Sequence, residues 1–287
     1  MTGNLRPDGP GDMSAETFSR FSAFVHNELG IKMPETKKTM LQSRLLKRLR
    51  ASGKKTFEEY YDYVFSPQGA SQELAHMIDV VTTNKTEFFR EPKHFVYLVQ
   101  TALPEMIRKC GIGIRQTAKI WSAGCSTGQE PYTLAMVLGE FAAGNPGFEY
   151  MILGTDISTR VLETARLAIY DHELVAPVTM ALRKKYLLQS KDRSRHKVRI
   201  IPELRSKVRF RQLNFIDSDF GLREIMDIIF CRNVLIYFDR HTQEMVLNRL
   251  CRHLKPGGYL FLGHSETLNG LNVPLISAGP TIYQKRG

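Results

Sequence analysis

The stretch KIWSAGCSTGQEPY, residues 119–132, decides the fold. Ile120, Trp121 and Ala123 are mostly apolar and suit a strand. Gly124 and Gly128 flank the small polar residues Ser126 and Thr127, and Glu130 and Pro131 open a helix. Proline is tolerated there because first-turn N–H groups have no intrahelical acceptor. A strand, a glycine turn and a helix N-terminus form the usual cradle of a nucleotide-like cofactor in a doubly wound α/β sheet. The turn is not GxGxxG and has no lysine at the Walker position, so it suits neither a dinucleotide nor ATP. Glu130 at the helix start would repel a phosphate and attract a cation. S-adenosylmethionine has no phosphate and carries a sulfonium and an ammonium charge.

Further along, YMILGT at residues 150–155 reads as a second strand with Asp156 at its end. Two roles fit Asp156. A carboxylate there accepts two O–H groups from a ribose diol, or it belongs to the cap of the helix that Ser158 starts and that runs through Leu167. The order of turn and acid favours the ribose. IMDIIFC, residues 225–231, is a near-continuous apolar run, as expected of a parallel strand buried on both faces. Arg232 and Asn233 stand at its C-terminal end, before Val234, Leu235, Ile236 and Tyr237. Ligands of open α/β sheets sit at the carboxyl ends of strands, so chemistry is expected there. Asp239 starts a helix, KPGG at 255–258 is a tight turn, and YLFLG at 259–263 is a strand leading to His264, Ser265 and Glu266. Residues 281–284 form a last, antiparallel strand.

The N-terminal part reads differently. MTGNLRPDGPGDM, residues 1–13, lacks an apolar signal segment and is expected to be a flexible tail. Residues 14–82 read as all helix. Ser14 caps a helix with Phe18, Phe21, Phe24, Val25 and Leu29 at three- and four-residue steps, and Gly30 stops it. Pro34 starts a second with Met40, Leu41, Leu45 and Leu49 on one stripe. Residues 57–65 and 74–81 suggest two shorter helices. TTNKTEFFREP, residues 82–92, is a polar loop whose Phe88 and Phe89 must pack against something. Residues 94–109 are a helix leading into the strand at Lys119. KVRII at 197–201 and VRFR at 208–211 read as a small antiparallel element inserted into the sheet domain.

With 287 residues, one large or two smaller domains are expected. No run of 18 apolar residues would cross a membrane. Cys110, Cys125, Cys231 and Cys251 show neither CxxC nor zinc-ligand spacing, so reduced thiols and no metal site are expected. The net charge of +11 demands an acidic partner: nucleic acid, membrane surface or acidic protein. It is concentrated at residues 32–55, where nine Lys and Arg face Glu35 alone, and again at 193–211.

Four segments together resemble the bacterial chemoreceptor-glutamate methyltransferases, the CheR family. TTNKTEFFRE, WSAGCSTGQEPYTLA, FCRNVLIYFD and LKPGGYLFLGHSE match the family's motifs in order, and the resemblance extends from the helical part to Tyr283. It implies an α/β fold: a class I S-adenosylmethionine-dependent, Rossmann-like domain at 94–287, a small all-helical domain at 14–82, a linker at 83–93 contributing to the active site, and a small antiparallel β insertion at 187–211. It implies transfer of methyl groups from S-adenosylmethionine, leaving S-adenosylhomocysteine, to glutamates of methyl-accepting chemotaxis receptors in the cytoplasm. The family's cofactor contacts fall on Asn84, Thr86, Arg90, Glu130, Asp156, Asn214, Phe215, Arg232 and Asn233. Tyr237 matches a tyrosine near the transferring methyl, and Arg90 and Tyr237 are the catalytic candidates. Partners are then the receptors' cytoplasmic domains, with the basic helix 36–50 and the β insertion as docking surfaces, a monomeric enzyme, no nucleic acid and no membrane insertion. Two features depart from the pattern: Gln129 replaces a first glutamate, and QSKDRSRHKVRIIPE lacks the glycines that shape a peptide-tethering hairpin.

A glutamate carboxylate, with an ordinary pKa of ~4.3, is already a nucleophile and needs no base, which accounts for the missing Ser-His-Asp or Cys-His set. Amino methylation of nucleic acid is disfavoured because the fourth strand ends Cys-Arg-Asn-Val, not Asn/Asp-Pro-Pro-Tyr/Phe. Pyrimidine C5 methylation is disfavoured because no Pro-Cys pair exists. An inactive signalling scaffold would be expected to lose Arg90, Asp156 or Tyr237.

Overall fold

The computed structural model describes residues 11–286, apart from the side chain of Arg193, so most of the expected tail lies outside the described residues. Compact units form over Met1–Thr83 and Asn84–Gly287. The loop at 84–93 therefore folds with the second unit instead of lying between two.

The first unit is helical: α1 (Ala15–Leu29), α2 (Lys38–Ala51), α3 (Phe57–Val64), α4 (Pro67–Gln72) and α5 (Leu74–Val81). Ser14 accepts from the N–H of Thr17, and Gly30 ends α1 at φ 69°. Helix α4 is additional to the sequence reading, although Ser66 caps it and Pro67 fills its first turn. Phe21, Val25, Leu41, Leu45, Tyr60 and Val64 are buried together. Met13 is also buried and donates to Gln42 Oε1, while Gln42 donates to Asp12, so order begins ahead of Ser14.

The basic run on α2 is partly consumed inside this unit. Arg44 donates to the carbonyls of Val81 and Thr82 at 2.6 and 3.2 Å and to Thr83 Oγ1, satisfying the end of α5. Arg48 grips Glu73 with two bonds of 2.8 and 2.6 Å. Lys47 and Arg50 remain exposed, and Lys38 is half-buried.

The second unit is built on a seven-stranded sheet in the order β6-β2-β1-β7-β8-β10-β9. Its strands are β1 (Ala118–Ala123), β2 (Tyr150–Asp156), β6 (Val208–Gln212), β7 (Met226–Cys231), β8 (Leu254–Leu262), β9 (Leu275–Gly279) and β10 (Ile282–Lys285). Strands β6 to β8 in that order run parallel, and β10 is antiparallel to both its neighbours. Strand β7 is buried at every position. A three-stranded antiparallel sheet combines β3 (Ile169–Asp171), β5 (Lys197–Ile200) and β4 (Leu187–Gln189). The insertion at 187–211 is thus corrected: it begins at Ile169, and VRFR is not its second strand. β6 pairs in parallel with β2, Ile152 opposite Val208 and Asp156 opposite Gln212. A parallel pair needs a crossover, which here is the whole stretch from residue 157 to 207, containing the small sheet and the short helix α11 (Pro202–Ser206).

Helices α8 (Gln129–Gly144), α9 (Thr159–Leu167), α10 (Met180–Tyr186) and α12 (Arg240–Arg252) complete the unit. The helix expected at 94–109 is α6 (Lys93–Tyr97) and α7 (Leu103–Cys110) joined by a π turn, Leu98–Ala102. Pro104 stands two residues past its end. Its ring would clash with the carbonyl four residues back in a regular helix, and the widened turn makes room.

Truncating Arg48 would leave the Glu73 side chain, 6% exposed, with Tyr60 O–H as its remaining side-chain donor. Arg48→Ala should lower the stability of the helical unit by about 3 kcal/mol, the lower end for breaking a buried pair, read by chemical denaturation of the full chain. A loss below about 1 kcal/mol would place the pair with ordinary surface bridges.

Candidate active site

Strand β1 is the branch point of the sheet: the chain leaves it on one side for β2 and β6 and on the other side packs β7 and β8. Such a reversal opens a crevice at the carboxyl ends of the strands. The cradle lies there. Gly124, Ser126 and Gly128 take φ 81°, 49° and 94°. At Gly124 a Cβ would stand 2.5 Å from Val234 Cγ2, and at Gly128 one would stand 2.9 Å from both Ala165 Cβ and the Tyr170 hydroxyl. Glycine is required at both by conformation and by space.

Asp156 ends β2 beside this turn. Its Oδ2 accepts from the N–H of Ser126 at 2.8 Å and its Oδ1 from the N–H of Ser158 at 3.0 Å. The cap of α9 itself is Ser158, which accepts from Val161 N–H. Both roles considered for Asp156 are therefore compatible, and its carboxylate is oriented before any ligand arrives. Asn214 accepts from Ile216 N–H, and Phe215 is buried against Phe220. Leu213 N–H donates to the Asp156 carbonyl, which holds this segment beside the end of β2.

The second cluster centres on Arg232 at the end of β7. Its Nε donates to Glu130 Oε2 at 2.6 Å, and Ser122 donates to Glu130 Oε1 at 2.7 Å. Its Nη1 donates to the carbonyl of Arg90 at 2.7 Å, to His94 Nδ1 at 3.2 Å and to Glu91 Oε2 at 3.4 Å. The cation that Glu130 meets is thus Arg232. Ser126 Oγ donates to the Asn84 carbonyl, so the loop 84–91 is fastened at both ends. Phe88 is buried against Tyr170, and Phe89 N–H donates to Thr133 Oγ1. The Arg90 guanidinium makes a 3.4 Å bond to the Lys85 carbonyl. Thr86 and Tyr237 are half-buried.

Two carboxylates important here were not singled out as site residues: Glu91 and Glu266. Glu91 Oε1 accepts from Asn233 Nδ2 at 3.4 Å and from His264 N–H at 3.2 Å. Both residues lie in segments that carry the family resemblance, FFRE and GHSE, and that was their sequence signal. Glu91, His94 and His264 bring three possible metal donors within 4.8 Å of one another, but a guanidinium on His94 Nδ1 opposes a cation there. An apolar groove of about 540 Å³ lined by Phe89, Phe95, Val99, Val137, Phe141 and Leu182 has Glu140 as its charged group. It lacks the convergent polar groups that fix a reacting substrate, so the crevice at the strand ends is the better candidate.

Residues 84–283 match the family model described as CheR methyltransferase, SAM binding domain, and residues 16–82 match CheR methyltransferase, all-alpha domain. The chain is similar to the chemotaxis protein methyltransferase of Borreliella burgdorferi, 40% identical over 96% of this chain and 95% of that one. It is 36% identical to chemotaxis protein methyltransferase 2 of Pseudomonas aeruginosa over 93% of this chain and 92% of that one. It is also 36% identical to the chemotaxis protein methyltransferase of Escherichia coli, over 94% and 91%.

Arg232 can only donate, so His94 Nδ1 accepts and the ring proton sits on Nε2, facing Thr281 Oγ1 at 2.9 Å. Burial first, then the Arg232 charge and His264, push the His94 pKa down to about 4, against the pull of Glu91. Folding thus favours the neutral ring. That stability is fully present above the ordinary imidazole pKa of about 6.5 and is lost as pH falls toward the depressed value. His94→Gln should flatten the decline in melting temperature between about pH 7 and pH 5. An equally steep decline in the variant would assign it to other groups.

Proposed function

Because the chain belongs to the CheR methyltransferase family, we propose that it esterifies glutamate side chains on the cytoplasmic domains of methyl-accepting chemotaxis receptors. It is a methyltransferase acting on chemoreceptors, and its methyl donor is S-adenosylmethionine. The observation that supports the site assignment is the Asp156 carboxylate, held by two backbone N–H groups beside a glycine turn against which Val234, Ala165 and Tyr170 pack. These residues fit the cofactor: Asp156 as acceptor for the ribose diol, the cradle turn for the nucleoside, Asn84, Thr86, Asn214 and Phe215 around it. Glu130 and Glu91 outnumber Arg232, so the crevice floor carries net negative charge that suits the donor's cations. When bound, the cofactor supplies an electrophilic methyl group on sulfur.

The remaining tasks fall to this chain. Arg90 holds a carboxylate by a two-pronged bond. Tyr237, at the turn after β7, borders the path along which the glutamate oxygen approaches. Alignment and exclusion of water carry the rate, since the nucleophile is already ionised. Among the described residues no helix is long and apolar enough to cross a membrane, and we place the chain in the cytoplasm as a monomeric enzyme.

Receptor methylation regions are acidic helices on this reading. The exposed remnant of the basic helix, Lys47 and Arg50 with Lys38, is one docking surface. The outer row of the small sheet is the other, where Ile169 and Leu188 stand on either side of Arg199.

Incubation with radiolabelled S-adenosylmethionine and receptor-enriched membranes should put base-labile label on a membrane protein. Label in nucleic acid, or base-stable label, would overturn the ester assignment. Asp156→Ala should weaken S-adenosylhomocysteine binding by roughly 2–5 kcal/mol, two bonds to a charged acceptor, and an unchanged dissociation constant in calorimetry would remove Asp156 from the ribose. Replacing Lys38, Lys47 and Arg50 together by Ala should raise KM for receptor and flatten its salt dependence while leaving that dissociation constant alone, because exposed charges act mainly on steering. Unaltered receptor kinetics at low salt would shift docking to the small sheet.

A further inference from the structure

Glu266 lies in the loop after β8 and is 5% exposed. Its carboxylate takes four backbone N–H donors: Gly263 at 2.6 Å and Asn233 at 2.9 Å on Oε2, Val234 at 2.8 Å and Leu235 at 2.7 Å on Oε1. A carboxylate has about four lone-pair sites, and all are filled. Three of the donors are consecutive. Asn233 sits at φ 60° and Val234 at φ −112°, ψ −47°, a left-handed then right-handed pair that turns successive N–H groups toward one point. Such a nest binds an anion, and here the protein supplies that anion from its own neighbouring loop. Burial raises the carboxyl pKa, against the lowering by those same N–H bonds.

The turn so held matters for the site. Val234 is the residue that lies against Gly124 of the cradle, at 2.5 Å from a notional Cβ. Gly263 approaches Asn233 so closely that a Cβ would meet Asn233 Nδ2 at 2.5 Å. Asn233 Nδ2 in turn reaches Glu91 Oε1, and two residues beyond Leu235 the chain presents Tyr237. The position of Asn233, of Val234 on the cradle and of Tyr237 all depend on one anchored turn.

We infer that Glu266 is a positioning residue for the methyl-donor site, acting through the nest at 233–235 and chiefly through Asn233. The inference rests on the methyltransferase reading of that site. Glu266→Gln conserves size but swaps one acceptor oxygen for an amide that faces N–H donors, so the turn should loosen while the sheet persists.

Calorimetry with S-adenosylhomocysteine tests this, with near-ultraviolet circular dichroism to verify folding. Glu266→Gln should raise the dissociation constant at least tenfold. Asn233→Gly keeps the left-handed backbone and removes the side chain. In that background the Glu266→Gln change should cost less than threefold, because the two residues act in series. If Glu266→Gln proves unfolded, Glu266→Asp, which keeps the charge on a shorter stem, is compared in the same cycle. A folded variant that binds within twofold of the parent overturns the inference. So does a loss that multiplies fully with that of Asn233→Gly, since general loosening would do that. A parent protein that fails to bind S-adenosylhomocysteine would overturn the methyltransferase reading first, and the positioning role with it.

Discussion

The second unit depends on one buried guanidinium. Arg232 ends the central strand β7 with its side chain 3% exposed. Removing such a group from water is expensive, and only close partners on most of its donors offset the cost. Glu130 at the start of α8, Glu91 and the Arg90 carbonyl in the loop 84–91, and His94 at the start of α6 meet that demand. Phe95 and Phe230 add their ring faces, 5.2 and 5.7 Å from the guanidinium carbon. The groups so gathered belong to three separate stretches of chain, and they form the floor of the crevice. Electrostatic necessity, more than local propensity, assembles the site.

The opposite end of β7 follows the same logic. Asp227 is fully buried and accepts from Lys255 Nζ at 2.6 Å and from Lys119 N–H at 2.8 Å. A single carboxylate thus joins the starts of β1 and β7 to the strand β8 on the far side. Asp227 ties the three central strands at one end, and Arg232, through Glu130 and Ser122, ties β7 to β1 at the other, so the apolar middle has little choice of register. The crevice end can then tolerate left-handed residues at Phe89, Glu91, Ser126 and Asn233, conformations that persist where surroundings over-determine them.

Much of this was legible in the sequence. The β1 turn and α8, the acid after β2, the buried β7 and the helical first unit all follow from periodicity and punctuation, which are local signals. What was not legible depends on partners far apart in the chain. VRFR alternates like a hairpin strand, yet it pairs in parallel with β2, because the chain crosses back over the sheet between residues 157 and 207. Arg44 and Arg48 look like part of a basic docking face, yet their acceptors lie at 73 and 81–83. Glu91 and Glu266 look like surface acids in polar loops. Their importance lies in N–H groups more than thirty residues away in one case and a guanidinium 141 residues away in the other. Composition cannot distinguish a solvated carboxylate from one that replaces water for a whole turn.

The π turn at Leu98–Ala102 has a consequence for how this helix tolerates change in length. An extra residue within one turn rotates everything after it by roughly a hundred degrees relative to a regular helix. Phe95 before it, Leu98 at its first position, and Leu103 and Met106 after it are nonetheless all buried in one core. The wider turn brings Leu103, which an unbroken helix would set at the edge of the apolar stripe, onto the side of Phe95 and Leu98. Removing one residue between 98 and 102 would restore ideal helical geometry and keep the second stripe facing the core, but it would bring the Pro104 ring against the carbonyl four residues back. A shorter, more regular helix would be the worse fit.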